Sequence, residues 1–339
     1  SKEVARYDGD LDLTGLGRLG GTRKVAVELE VVEVKHLESK LVELILADEG
    51  GKNVALTSYL SDEIVIPEVI KIKREVQKTR PVRFVSMDTT EHELLMLSHQ
   101  HVSEFNLIPS GDSVAISKTV WIYNAEDWVS RDRDKPYRDI KRGMLPPKVA
   151  RIMVNLATEG KTGITLADPF CGTGTVLLEA MMVGVNSVGS DTSPDAVSGS
   201  RSNLAWLAST PGLAPIKAET LLADATHFAE YIKSVDCIAT EPYMGPLLDE
   251  RNPSTLDKIK NIAKGLDKLY RGAFKSFALA LPSGGRVVMS IPSFNVYNRV
   301  IPTISIDTLT LLGYNHIASV SYAKPGAAVI RNITILEKK

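Results

Sequence analysis

Apolar and polar positions along this 339-residue chain change rhythm near residue 160. Beyond it, short apolar runs alternate with amphipathic stretches to the end. The pattern predicts strands at 164–168, 187–191, 219–223, 235–240, 285–291, 315–322 and 329–336. Helices are predicted near 175–184, 194–208, 256–280 and 299–312, from periods of 2 and 3.6. Such alternation specifies a doubly wound α/β sheet, whose ligands bind at the C-terminal strand edges. The last two strands, joined by the turn-like Lys324-Pro325-Gly326, suit an antiparallel pair.

The first 123 residues read differently. Val25–Val32 and Leu41–Leu46 have strand character, and Ser61–Lys78 reads as an amphipathic helix. Val82–Ser86, Val114–Ser117 and Val120–Tyr123 add strands, which together predict a small α+β domain. Residues 124–150 are a basic linker with Arg131, Arg133, Lys135, Arg138, Lys141 and Arg142, ending at Pro146-Pro147. Residues 151–339 form the α/β domain. The opening Ser1, in place of Met, reads as a start within a longer sequence.

Composition narrows the class. At 44% hydrophobic and 24% charged the chain is an ordinary globular protein, long enough for two cores. No apolar run approaches the ~18 residues of a membrane-spanning helix, and no signal-peptide pattern opens it. Only two cysteines, Cys171 and Cys237, exclude a disulfide framework and fit a reducing cytoplasm. The histidines show no metal-ligand spacing, so no metal is expected. A net charge of −1 gives no global sign of nucleic-acid binding. Local patches must supply it: the linker, and the helix face of Lys71, Lys73, Arg74 and Lys78. A mixed-charge run is also what a plain solvated surface looks like.

The chemistry concentrates at predicted strand ends. A strand closing at Asp168 turns through Phe170, Gly172 and Gly174 into an apolar helix. Glycines there let a ligand approach the main chain, and the helix N-terminus offers N–H groups. A dinucleotide loop wants a third glycine and a phosphate loop wants a lysine, and this chain has neither. Asp168-Pro-Phe-Cys-Gly-Thr-Gly-Thr instead resembles motif I of the Rossmann-like S-adenosylmethionine-dependent methyltransferases. That resemblance implies S-adenosylmethionine as cofactor, with Asp168, Phe170, Gly172 and Gly174 shaping its pocket. Asp191 ends the second strand, where a carboxylate can accept ribose hydroxyls. Alternatively it caps the helix beginning near Pro194, a role more natural for Ser193. Asp224 ends the third strand and can accept the adenine amino group.

The fourth strand ends Thr240-Glu241-Pro242-Tyr243-Met244-Gly245. This resembles the Asp/Asn-Pro-Pro-Tyr motif of enzymes that methylate exocyclic amines on nucleobases. An aniline-like amine is a weak nucleophile because its lone pair is delocalised into the ring. A carboxylate and a backbone carbonyl can accept its two N–H bonds and redirect that lone pair. Glu241 stands for the Asp or Asn, Tyr243 for the second proline and Met244 for the usual aromatic residue; Pro242 rigidifies the turn, and Tyr243 offers a stacking face from the adjacent position. The longer glutamate changes the geometry by about an ångström, a displacement to which positioning is sensitive.

Residues 127–157, the Glu241-Pro242-Tyr243 stretch and Lys324-Pro325-Gly326 together resemble the tRNA guanosine-10 N2-methyltransferases. The resemblance implies a Rossmann-like class I methyltransferase domain preceded by a ferredoxin-like and THUMP-like RNA-binding region. It further implies a tRNA substrate, N2-methyl- or N2,N2-dimethylguanosine as product, and phosphate contacts from the linker and from Lys71 and Arg74. Other readings are an amino methyltransferase acting on DNA adenine or cytosine or on rRNA, and a non-catalytic RNA-binding protein that keeps the fold. The pattern assigns neither an oligomeric state nor a partner subunit.

Overall fold

The fold is that of a computed structural model, described for residues 4–10, 12–60, 68–85, 101–139, 144–246, 248, 255–297 and 299–339. The chain divides into two units: Ser1–Gly17 with Thr22–Trp128, and Arg18–Gly21 with Val129–Lys339. The stretch from Val129 to Asp139, within the span read as a linker, folds as part of the second unit.

The first unit contains β1 (Lys24–Glu33), α1 (Leu37–Ala47), β2 (Asn53–Ser58), α2 (Val69–Gln77), β3 (Arg83–Val85), β4 (Val102–Ser110) and β5 (Ser113–Ile122). The strands form one sheet in the order β1-β5-β4-β2-β3. The run Leu41–Leu46 is helical rather than extended. Leu37, Leu41 and Ile45 recur every fourth residue, and all three are buried against the sheet, a helical period that outweighs the local apolar run. The two strands predicted around 114–123 are one continuous strand, β5. Only the second half of the Ser61–Lys78 helix lies within the described residues, as α2. On the sheet face away from α1 and α2, buried Glu104 accepts hydrogen bonds from Lys24 Nζ (2.6 Å), Thr57 Oγ1 and Thr119 Oγ1 (2.5 Å each).

The second unit contains α3 (Pro147–Thr158), β6 (Thr165–Asp168), α4 (Thr175–Met182), β7 (Asn186–Asp191), α5 (Pro194–Ala208) and β8 (Ala218–Leu222). It continues with β9 (Cys237–Thr240), α6 (Leu256–Ala280), β10 (Arg286–Val296), β11 (Arg299–Pro302), α7 (Ile306–Leu311), β12 (Tyr314–Tyr322) and β13 (Val329–Lys338). Strand order is β12-β13-β10-β9-β6-β7-β8. Strands β6 to β10 run parallel, and β13 and β12 add an antiparallel edge. The chain leaves β6 through β7 and β8 on one side and returns through β9 and β10 on the other. The order therefore reverses beside β6, where doubly wound sheets open a crevice.

Successive strand residues face opposite sides. Ala167, Ile238, Val287 and Met289 pack with α6 through Ile259, Leu266, Tyr270, Phe274 and Phe277. Leu166, Cys237, Ala239 and Val288 pack with α3 and α4 through Val149, Met153, Val154, Val176 and Ala180. The helix predicted over 299–312 is a correction. Arg299–Pro302 is a strand returning along β10, and only Ile306–Leu311 is helical. Val300 and Ile301 are β-branched and Pro302 lacks the N–H a helix interior needs; Ser305 then caps α7 by accepting from Thr308 N at 3.2 Å. Among the described residues no helix is long and apolar enough to cross a membrane.

Candidate active site

The glycine loop is built by its backbone. Cys171 N donates to Ser190 O at 2.8 Å and Gly174 N to Cys171 O at 2.7 Å, which curls the loop between β6 and α4. Gly172 and Gly174 have φ of +50° and +81°, in the region glycine enters without steric penalty. Their surroundings differ. A Cβ on Gly174 would lie 2.4 Å from Ser200 Oγ of α5, whereas one on Gly172 would meet nothing within 4 Å. Gly174 serves helix packing, and Gly172 faces open space at the strand edges.

Asp191 closes on that loop. Its Oδ2 accepts from Gly172 N at 3.0 Å and its Oδ1 from Ser193 N at 2.9 Å. Ser193 is the cap of α5, accepting from Ala196 N at 3.4 Å, so capping is not the task of Asp191. Each carboxylate oxygen keeps a lone pair for a further donor. Ala223 N donates to Asp191 O at 3.1 Å and aligns the ends of β8 and β7. Asp224 follows, exposed, its Oδ1 accepting from Thr226 N and Oγ1, both at 2.8 Å. Half-buried Phe170 packs on the core, and its N–H donates to Asp168 Oδ1 at 3.2 Å.

Asp168 is 2% exposed and accepts from Thr240 Oγ1 at 2.6 Å. Burial pushes its carboxyl up to about 7, with the charges of Asp191 and Glu241 adding to the rise against the two hydrogen bonds. Glu241, just beyond β9, accepts from Arg331 Nε of β13 at 2.7 Å. Burial also pushes its carboxyl up, and Arg331 opposes that shift. Pro242 is buried and Met244 half-buried, while the Tyr243 ring stands 58% exposed. The loop is held by α6: Tyr270 Oη donates to Tyr243 O at 2.7 Å, and Gly245, at φ +94°, leaves 3.1 Å between an added Cβ and Ile262. Asp168, Asp191, Asp224 and Glu241 thus stand along one edge of the sheet, as their strand-end positions require.

The basic residues separate into two groups. Arg131 and Lys135 were expected at an RNA surface, and the structure corrects this: both are buried. Arg131 Nε meets Glu179 Oε1 at 2.6 Å, and Arg151 meets Glu179 Oε2 at 2.6 Å from the other side. Lys135 Nζ donates to Thr175 Oγ1 at 3.1 Å, and burial lowers its ammonium. Next to them, buried Asn203 of α5 accepts from Tyr137 N at 2.8 Å. It also donates to Tyr137 O at 2.9 Å and to Thr173 O at 2.8 Å. The supposed linker therefore clasps the back of the glycine loop. Arg133, Arg138 and Arg74 are exposed, and Lys71 is exposed but paired with Glu38 at 2.6 Å. Lys141 and Arg142 lie outside the described residues. Thr240, Asn203, Tyr270 and Arg331 escape sequence reading, because their partners lie 27 to 90 residues away.

A methyltransferase-domain family described as UPF0020, RMKL-like, matches residues 135–303. The tRNA (guanine(10)-N2)-dimethyltransferase of Pyrococcus abyssi is 32% identical over 266 residues, covering 73% of this chain and 73% of that protein. This chain belongs to the tRNA (guanine-N2)-methyltransferase family. A second member, from Methanothermobacter thermautotrophicus, is 34% identical over 152 residues, 45% of this chain and 40% of its own length. The match to that relative thus spans less than half of it. The fold agrees with the crystal structure of TrmN from Thermus thermophilus, at a TM-score of 0.52 and 18% identity, covering 99% of this chain and 88% of the other. The family's methyl donor is S-adenosylmethionine. The residues fit it: open space at Gly172 admits a ligand to the loop, and Asp191 keeps acceptor capacity beside it.

Proposed function

We propose that this chain methylates the exocyclic N2 of guanosine in tRNA, at position 10, with S-adenosylmethionine as donor. The observation that carries the reading is the edge at Thr240–Tyr243. A buried-side carboxylate, a rigid proline and an exposed aromatic ring follow the strand beside β6, facing the same crevice as the glycine loop. The relatives named above carry this activity in their names.

Asp168, Phe170, Gly172 and Gly174 shape the donor pocket, Asp191 accepts the ribose hydroxyls and Asp224 the adenine amine. When bound, the donor supplies an electrophilic methyl on sulfonium. Glu241 accepts one N–H of the guanine amine, and the carbonyl of the Pro242 turn accepts the other. This turns the lone pair out of the ring plane, and the positive charge that develops on nitrogen faces the carboxylate. Tyr243 stacks on the extruded base, as base-modifying enzymes require of their pockets. The first unit holds the tRNA, with Arg74 and Lys71 on α2 and Arg133 and Arg138 in the second unit neutralising phosphates. A tRNA substrate and two free, buried cysteines favour the cytoplasm as its compartment.

The test is methylation of unmodified tRNA transcript with labelled donor, followed by nucleoside digestion. N2-methylguanosine or N2,N2-dimethylguanosine is expected, lost when nucleotide 10 is changed to adenosine. Labelled N6-methyladenosine, or no label, refutes the reading.

A further inference from the structure

Glu241 is one methylene longer than the acidic or amide residue of the motif it resembles, yet it does not swing freely. Strand β13 runs antiparallel to β10 with Arg331 opposite Pro292, past the end of β9. From there Arg331 Nε reaches Glu241 Oε1 at 2.7 Å, across 90 residues of sequence. The pair is partly shielded, at 15% exposure for the Glu241 side chain and 25% for Arg331. Glu241 Oε2 has no hydrogen-bond partner among the described residues.

We infer that Arg331 is a positioning residue for Glu241: it anchors Oε1, keeps the carboxylate ionised, and leaves Oε2 to receive the N–H of the target amine. The inference rests on the catalytic reading of Glu241 above. Among the described residues, the other ionisable groups that interact with Glu241 supply no positive charge: Asp168 at the end of β6 is itself a carboxyl, whose ionisation Glu241 opposes, and Tyr270 on α6 brings only a phenol. Arg331 is the sole cation at ion-pair distance from it among the described residues. Burial raises the Glu241 carboxyl and Arg331 holds it down, so loss of the guanidinium leaves burial unopposed. A protonated Glu241 presents a hydroxyl where the amine needs an acceptor. The guanidinium also fixes the longer side chain, since its Nε–H directs a single oxygen. The pair is mostly shielded, so truncating Arg331 also costs stability, and the melting temperature separates that cost from the effect on the amine-facing oxygen.

The experiment compares the kcat pH profile on tRNA transcript for wild type, Arg331→Met and Arg331→Lys, with S-adenosylmethionine affinity and melting temperature measured alongside. Arg331→Met is expected to bind donor within about twofold of wild type. Its acid limb is expected to move up by about 1–3 pH units, as removal of a close opposite charge does. Its kcat at pH 6 then falls roughly tenfold or more and recovers as pH rises. Arg331→Lys is expected to restore most of the profile, and if the methionine variant does not fold, Arg331→Gln takes its place with the same expected shift. An unmoved acid limb with kcat intact in both variants overturns the inference. So does a loss of equal size at every pH. Glu241→Ala separates the two claims: if it keeps full activity, the catalytic reading itself fails. If it is inactive while Arg331→Met behaves as wild type, only the role of Arg331 fails.

Discussion

Thr240 Oγ1 donates to Asp168 Oδ1 at 2.6 Å, joining the end of β9 to the end of β6 where the sheet order reverses. The bond holds the amine-facing loop and the donor loop at one distance, but it does not satisfy a charge. Burial lifts the Asp168 carboxyl from 3.8 to about 7, so the fold favours its protonated form. The folded chain then binds this proton more tightly than the unfolded chain does. The stability that this proton contributes is present at low pH and is lost as pH rises from about 4 to about 7. Asp168→Asn removes the titration and keeps an acceptor for Thr240. The variant's melting temperature, relative to wild type, is expected to rise as pH goes from 5 to 8. A difference that is flat across thermal melts at pH 5, 6.5 and 8 counts against the raised carboxyl.

The two loop glycines should respond differently to the same substitution. Both hold positive φ, so alanine at either strains the backbone by about 1–2 kcal/mol. At Gly174 the new Cβ also meets Ser200 Oγ at 2.4 Å, and overpacking adds about 1–3 kcal/mol. Gly172→Ala meets nothing in the protein, so its further effect falls on the ligand. Chemical denaturation should rank Gly174→Ala as the less stable variant. Calorimetric titration with S-adenosylmethionine should find Gly172→Ala impaired well beyond its stability loss. Equal stabilities, or unaltered donor affinity in Gly172→Ala, would contradict this division of labour.

What could be read from the sequence was what chemistry places at strand ends. Asp168, Asp224 and Glu241 each follow a short apolar run and Asp191 the strand-like Ser187-Val188-Gly189-Ser190, and a parallel sheet brings such ends to one edge without further information. What could not be read was which charges meet. Arg131 and Lys135 look like Arg133 and Arg138 in a string of letters, and only packing against α4 gives the first two Glu179 and Thr175 as partners. Arg331 lies 90 residues from Glu241 and on a strand whose antiparallel pairing has to be known first. Short apolar runs failed for a simpler reason: Leu41–Leu46 satisfies a strand and a helix equally until Leu37 is included.

Glu179, held between Arg131 and Arg151, gives a further stability prediction. All three side chains are buried, and removing Arg131 leaves the buried Glu179 Oε1 without its donor at about 1–3 kcal/mol. Arg131→Ala should therefore lower stability by that order while leaving the salt dependence of tRNA binding unchanged. Arg133→Ala and Arg138→Ala should do the reverse. As exposed substitutions they stay within about 0.5 kcal/mol of wild-type stability, and each phosphate left without its cation lowers the salt slope by about one. Binding titrations at several salt concentrations read the slope. A reduced slope in Arg131→Ala would return that residue to the RNA surface.

Tyr243 joins a solvent-facing ring to an anchored backbone: the side chain is 58% exposed, and its carbonyl is held by Tyr270 Oη at 2.7 Å. An exposed aromatic on a fixed loop contributes little to folding, and its value lies in what stacks on it. Tyr243→Phe keeps the stacking face and should retain near wild-type activity. Tyr243→Ala should leave the melting temperature and donor affinity close to wild type. It removes a base-stacking interaction of about 1–3 kcal/mol, which appears as a fall in kcat/KM for tRNA of roughly 5- to 150-fold. Steady-state kinetics on transcript separates these outcomes. Tyr270→Phe tests the anchor by itself: it frees the Tyr243 carbonyl without touching the ring, so a lower kcat at unchanged donor affinity is expected. If Tyr243→Ala matches wild type while Tyr270→Phe is impaired, the ring is incidental and only the backbone of this turn serves the base.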